Sequence, residues 1–196
     1  SLDATKVACA LAEGWRSVRP DDELLLRPMA DGGEGTLDAF AAAIPRARRM
    51  PVTVTGPTGR RIDSHWLMLP GDRPRTAVVE LACTSGIELV GTDETVDPLA
   101  THTRGFGEAI RAALAAGATR LMLGIGGSVS SDGGAGVLTA LGAVLRDAQG
   151  LPVPSGAAGL ARAASFDATQ LIPPPADGVL VLSFSNAAVH AAAGPG

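Results

Sequence analysis

The sequence predicts an α/β protein with a largely parallel sheet flanked by helices, interrupted by a short antiparallel meander. Three observations carry that expectation. Helical and strand patterns alternate along most of the 196 residues. Three strand patterns joined by tight turns occupy the middle of the chain. Two glycine-rich turns each follow a short apolar run and precede a helical pattern, as in parallel sheets that bind ligands at the carboxyl ends of their strands.

The elements follow in order. Val7, Leu11, Trp15 and Val18 recur at helical spacing, with Ser1 or Asp3 as N-cap and Pro20 beyond the end. Leu24-Leu25-Leu26, within residues 23–29, reads as a short buried strand. A second helix runs through Leu37, Phe40, Ala41 and Ile44. Residues 52–55, 62–69 and 76–82 are the meander strands, separated by Gly56-Pro57-Thr58-Gly59 and Gly71-Asp72-Arg73-Pro74. Residues 105–116 return to helix, with Phe106, Ile110, Ala113 and Leu114 on one face. A buried strand at 119–125 and a helix over about 132–142 come next. Residues 151–164 are rich in Ala, Gly and Pro, and Ile172-Pro173-Pro174-Pro175 reads as a linker or bend. Val179-Leu180-Val181-Leu182 is the last strand.

Composition narrows the function. The net charge of −4 and the absence of a basic patch argue against a nucleic-acid partner. With 3% aromatic residues and no Tyr, base-stacking platforms are not expected. No apolar run is long enough to span a membrane, and the first residues do not resemble a signal peptide. Cys9 and Cys83 are far apart and lack metal-site spacing, so they read as free thiols in a reducing cytoplasm.

The chemistry is expected in two turns. In the first, Asp31 and Glu34 stand three residues apart in Ala30-Asp31-Gly32-Gly33-Glu34-Gly35-Thr36. They could face one metal or one substrate hydroxyl, or simply cap a helix. The intervening Gly32 and Gly33 favour function, because each glycine weakens a first helical turn by about 1 kcal/mol. The second turn is Gly124-Ile125-Gly126-Gly127-Ser128-Val129-Ser130-Ser131-Asp132-Gly133-Gly134-Ala135-Gly136. Glycines let backbone N–H groups approach a phosphate, and the following helix points its positive end there. The turn lacks the Gly-Lys-Ser/Thr of a Walker loop and misses the third glycine of a dinucleotide fingerprint. A third segment, Thr101-His102-Thr103-Arg104-Gly105-Phe106-Gly107-Glu108, opens a helix. Thr103 and Gly105 could contact an anion, and Arg104 could balance an acidic substrate. His102 and His65 read as structural, and Ser85 as a minor ligand candidate.

These three motifs, in this order and spacing, resemble the signatures of bacterial type I glycerate kinases. The similarity extends from Ser1 to about Leu182, through Val54-Thr55-Gly56-Pro57-Thr58-Gly59 and Ser85-Gly86-Ile87-Glu88-Leu89. The resemblance implies an ATP- and Mg²⁺-dependent kinase acting on D-glycerate, with 2-phosphoglycerate as product. It implies a flavodoxin-like part made of residues 1–47, 100–145 and 178–196. Residues 48–99 would belong to a second, restriction-enzyme-like part, with 146–177 connecting. The family's opening strand and its Pro-Asp-Ser-Phe-Lys type motif would precede Ser1. Where the family carries Asp-Val-Asp-Asn-Pro-Leu, this chain reads Ser183-Phe184-Ser185-Asn186-Ala187-Ala188, so only Asn186 matches. The chain is therefore expected to be a truncated or divergent member, completed by a further half or by a homo-oligomer. The competing expectation is a non-catalytic module that binds a nucleotide or hydroxy acid.

The resemblance gives the residues these roles. Asp132, Asp31 and Glu34 are the catalytic candidates, with Asp132 and Asp31 also metal candidates. Gly124, Gly126, Gly127, Ser128, Ser131, Gly133 and Gly134 would hold the ATP phosphates. Gly32, Gly33, Thr36, Thr103, Arg104, Gly105 and Asn186 would bind glycerate.

Overall fold

A five-stranded sheet forms the centre of the computed structural model, which describes residues 4–91 and 96–183. Its strands lie side by side as β1 (Arg48–Thr55), β2 (Arg61–Met68), β3 (Thr76–Glu80), β4 (Arg120–Gly124) and β7 (Val179–Leu182). The pairs β1–β2 and β2–β3 are antiparallel, whereas β3–β4 and β4–β7 are parallel. The sheet is thus mixed rather than largely parallel. The reason lies in the connections: short turns can only reverse the chain, and parallel neighbours need a long crossover. The meander strands fall where expected, in one continuous sheet with the parallel strands. Pro51, which cannot donate to a ladder, sits on the edge strand β1.

Helices cover both faces of the sheet. On one face Trp66, Met68, Ala77, Val79 and Leu121 pack against Phe106, Ala109, Ile110 and Ala113 of α4 (Arg104–Ala115). On the other, Leu67 and Val78 pack against Leu37 of α2 (Thr36–Ala43). Consecutive residues of β2 and β3 alternate between the two cores, as the two-residue period of a strand requires. That double burial explains why β3 is apolar throughout its middle.

α1 (Ala4–Val18) forms as its spacing predicts, although its N-cap candidates Ser1 and Asp3 lie outside the described residues. Of its residues only Ala12 is buried, while Leu11, Trp15 and Val18 are exposed. The strand expected around Leu24-Leu25-Leu26 is absent, and Leu25 and Leu26 are exposed. A strand requires a neighbour for its N–H and C=O groups, and this segment has no ladder partner among the described residues. The sequence reading also missed five short elements: α3 (Ala82–Ser85), a single 3-10 turn at Ile87–Leu89, the pair β5 (Val144–Arg146) and β6 (Ser165–Asp167), and α6 (Ala157–Leu160). Each is too short to show a period. The helix expected over about 132–142 is α5 (Ala135–Ala140).

Candidate functional site

The parallel strands end together: Glu80 of β3 lies level with Gly124 of β4, which lies level with Leu182 of β7. Above this edge the glycine-rich turns meet backbone to backbone. The Gly126 N–H donates to the Gly32 carbonyl at 2.8 Å. A Cβ on Gly126 would stand 2.7 Å from the Gly33 Cα, and one on Gly127 would overlap the Glu34 carboxylate. The two backbones can approach this closely only because position 126 is glycine, whereas the exposed Glu34 side chain could swing clear of a Cβ at Gly127. The expected pairing of the Asp31–Glu34 turn with the Gly124–Gly134 turn is present, although no strand precedes the first of them.

Within the first turn, Asp31 Oδ1 accepts the Gly33 N–H at 2.9 Å, and the Thr36 hydroxyl donates to the Gly33 carbonyl at 2.8 Å. Thr36 is buried, whereas the side chains of Asp31 and Glu34 are exposed. In the second turn the Ser128 and Ser130 hydroxyls share a hydrogen bond of 2.6 Å. The Ser131 hydroxyl donates to the Pro98 carbonyl. Residues 85–87 add a third wall, where the Ile87 N–H donates to Gly127 and the Val129 N–H to Ser85. The buried Ser85 hydroxyl has no partner among the described residues.

Asp132 lies behind this surface with 1% of its area exposed. Its carboxylate accepts the N–H groups of Gly134 and Gly136 at the start of α5, together with the N–H and hydroxyl of Thr103 at the start of α4. Thr103 in turn accepts the Val137 N–H at 3.1 Å. The open amides of α5 are thus met from inside the protein, and the positive ends of two helices converge on one carboxylate. Gly105 is buried against the carbonyls of Thr55 and Thr84. Arg104 pairs with Glu108 at 3.1 Å and lines a cavity of about 220 Å³ with Gly136 and Ser155. Burial pushes the His102 ring below the usual imidazole range, and its Nδ1 accepts the Arg104 N–H, so it sits as a neutral loop residue. Asn186, like Ser185, lies outside the described residues.

The structure also brings in a residue that sequence reasoning passed over. Glu80 ends β3, is buried, and accepts the Leu37 N–H of α2 at 2.8 Å. Burial pushes its carboxyl above the usual carboxylate range, against the amides of Leu37 and Gly35 that pull it down. A carboxylate closing an apolar strand just before a helix was the available signal. Both cysteines are free, and burial pushes the Cys83 thiol up to about 11.

Fold and site define an α/β protein that gathers its polar groups over the carboxyl ends of parallel strands. A model described as the glycerate kinase family matches residues 1–184. The chain belongs to that family. It is 44% identical over 173 residues to glycerate 2-kinase of Escherichia coli (strain K12), covering 88% of this chain and 44% of that protein. It is 45% identical over 171 residues to glycerate kinase of Bacillus subtilis (strain 168), covering 87% and 44%. A crystal structure from Salmonella typhimurium LT2, provisionally described as a glycerate kinase 2, superposes with a TM-score of 0.71 at 46% identity. That match covers 87% of this chain and 45% of the other. The chain thus spans less than half the length of these relatives.

Proposed function

We propose that this chain takes part in phosphoryl transfer from ATP to D-glycerate, giving 2-phosphoglycerate and ADP. The reaction comes from the family; its place comes from one observation, the Gly126–Gly32 contact that sets Glu34 over Gly127 at the strand ends. Such transfer asks the protein for positioning and charge stabilisation more than for covalent work. The substrate hydroxyl oxygen attacks the γ-phosphorus, the bond from that phosphorus to the β-γ bridging oxygen breaks, and ADP leaves. The hydroxyl proton passes to a carboxylate, a role we give to Glu34, which is exposed beside the glycine turn. Asp31 orients the same substrate, and the Ser128 and Ser130 hydroxyls face the phosphates. Asp132, with its oxygens engaged by Thr103, Gly134 and Gly136, holds the loops in place.

Mg²⁺ favours one or two carboxylates together with phosphate oxygens. The exposed Asp31 suits that donor set, and the occupied carboxylate of Asp132 does not. Among the described residues no group of three or more His, Cys, Asp or Glu side chains is placed to hold a metal by itself. When bound with the nucleotide, the ion would neutralise charge on the phosphoryl oxygens. We further place β4 and β7 in a flavodoxin-like part, β1, β2 and β3 within residues 48–99 in a restriction-enzyme-like part, and the reaction in the cytoplasm. Among the described residues no helix is long and apolar enough to cross a membrane.

A coupled assay of ADP release with D-glycerate and ATP tests the reading. Glu34→Gln should lower kcat by about 10²-fold or more, the scale of a lost general base. An unchanged rate in that variant would remove Glu34 from the chemistry. Failure of the parent chain to form ADP would overturn the proposed reaction for this chain.

A further inference from the structure

We propose that Glu80 is a positioning residue for the site: from the end of β3 it holds the first turn of α2, and with it the turn of residues 31–36. The proposal rests on the reading that this turn meets the substrate. Glu80 has 4% of its area exposed, and its Oε2 accepts the Leu37 N–H from 43 residues away. The helix it caps has no side-chain cap of its own, because its N-cap is Gly35, with a left-handed φ of 83°. A helix start without a local cap leaves amides that something must satisfy. Here the acceptor comes from the central sheet, so the helix start is registered to the strand ends and not merely closed.

The same strand end also grips the second turn. The Leu81 N–H donates to the Gly124 carbonyl at 2.8 Å, and Glu80 lies level with Gly124 across the parallel pair. From Leu37 the path continues through Thr36, whose hydroxyl donates to Gly33, to Gly32, which accepts the Gly126 N–H. Glu80 therefore closes a ring of hydrogen bonds that sets both glycine turns relative to each other. A buried carboxylate costs free energy that an apolar residue at this strand position would not. The geometry that repays it is the fixed distance between the turns.

The test compares Glu80→Gln, which keeps an acceptor oxygen, with Glu80→Met and Glu80→Ala, which remove it. In the full chain, Met and Ala should raise KM for glycerate about tenfold, the scale of a lost cap, with a smaller change in kcat. Gln should restore KM to within about twofold of the parent. A merely structural role would lower Tm without moving KM at temperatures where the variants are folded; that result overturns the proposal. Hydrogen exchange provides a readout independent of turnover. Amides of residues 32–37 and 124–127 should exchange faster in the Met and Ala variants and at the parental rate in the Gln variant. Unchanged exchange in both removals also overturns the proposal. If the parent chain forms no ADP but exchange responds as stated, the assigned reaction fails and the positioning of the turns by Glu80 stands.

Discussion

The amide and the hydroxyl of Thr103 both donate to the Asp132 carboxylate, at 2.9 and 3.0 Å, so that α4 and α5 begin at one buried anion. The hydroxyl oxygen also takes the Val137 amide. Thr103→Val keeps the shape of the side chain and removes both functions. Leaving a buried charge and an amide short of partners should cost about 1–3 kcal/mol. Urea unfolding would measure this as a lower midpoint at unchanged slope, and Thr103→Ser should recover most of it. A Thr103→Val protein as stable as the parent would show that water replaces the hydroxyl and that the helix starts do not depend on it.

The contact between the turns makes a sharper prediction. Gly126→Ala places a methyl group 2.7 Å from the Gly33 backbone, which cannot swing aside as a flexible side chain would. The turns must separate, and activity should fall at least tenfold, with KM and kcat both affected. Gly134→Ala is the control. Its φ is left-handed, at 82°, unlike that of Gly126, yet nothing lies within 4 Å of the new methyl. It should cost only about 1 kcal/mol of backbone strain and leave activity near the parent. Equal losses in the two variants would show that the close approach of Gly126 to Gly33 does not decide the effect.

The contrast between these glycines also shows what could be read from residues alone. Clustered glycines beside Asp31, Glu34 and Asp132 marked out two turns as more than plain connections, and the structure brings those turns into backbone contact. The strands β3 and β4 were legible from their apolar runs, and β2 from the turn chemistry at its two ends. Leu24-Leu25-Leu26 carried the same apolar signal and misled, since apolarity does not supply a hydrogen-bonding neighbour. Asp132 was legible as important, but its saturation by four groups depends on Thr103 arriving from 29 residues away. The role of Glu80 could not be read beyond a carboxylate at a strand end for the same reason: its partner, Leu37, is distant in sequence and contributes only a backbone amide.

Glu108 ties α4 to β1 through the Thr55 amide and hydroxyl, and it also accepts from the Arg104 guanidinium. Burial pushes its carboxyl up, but the Thr55 amide and hydroxyl and the Arg104 guanidinium outweigh that and hold it below the usual range. A lowered pKa means that the unfolded state binds the proton more tightly as pH falls. The stabilisation is present above the unfolded value of 4.5 and is lost as pH falls through the folded value. Glu80 acts in the opposite sense. Its raised pKa contributes stability below the unfolded value, lost as pH rises through the folded one. Urea midpoints measured on either side of 4.5 should therefore fall less steeply toward acid in Glu108→Gln than in the parent. Parallel curves would assign the acid sensitivity to other groups.

The exposed face of α1 should behave as a surface, not as core. Leu11 is 70% exposed, Trp15 55% and Leu25 74%, and together they line one open groove between α1 and residues 23–27. Side chains this open contribute little to folding, since stabilisation follows the apolar area withdrawn from water. Leu11→Gln with Leu25→Ser should therefore change unfolding free energy by less than about 1 kcal/mol for the pair. The same substitutions should raise solubility and reduce binding of a hydrophobic dye, because they break up an exposed apolar patch. A loss of several kcal/mol would instead mean that both leucines are covered in the folded chain. The two measurements separate cleanly: dye binding reports the patch, and urea unfolding reports the core. Only an exposed patch moves the first and spares the second.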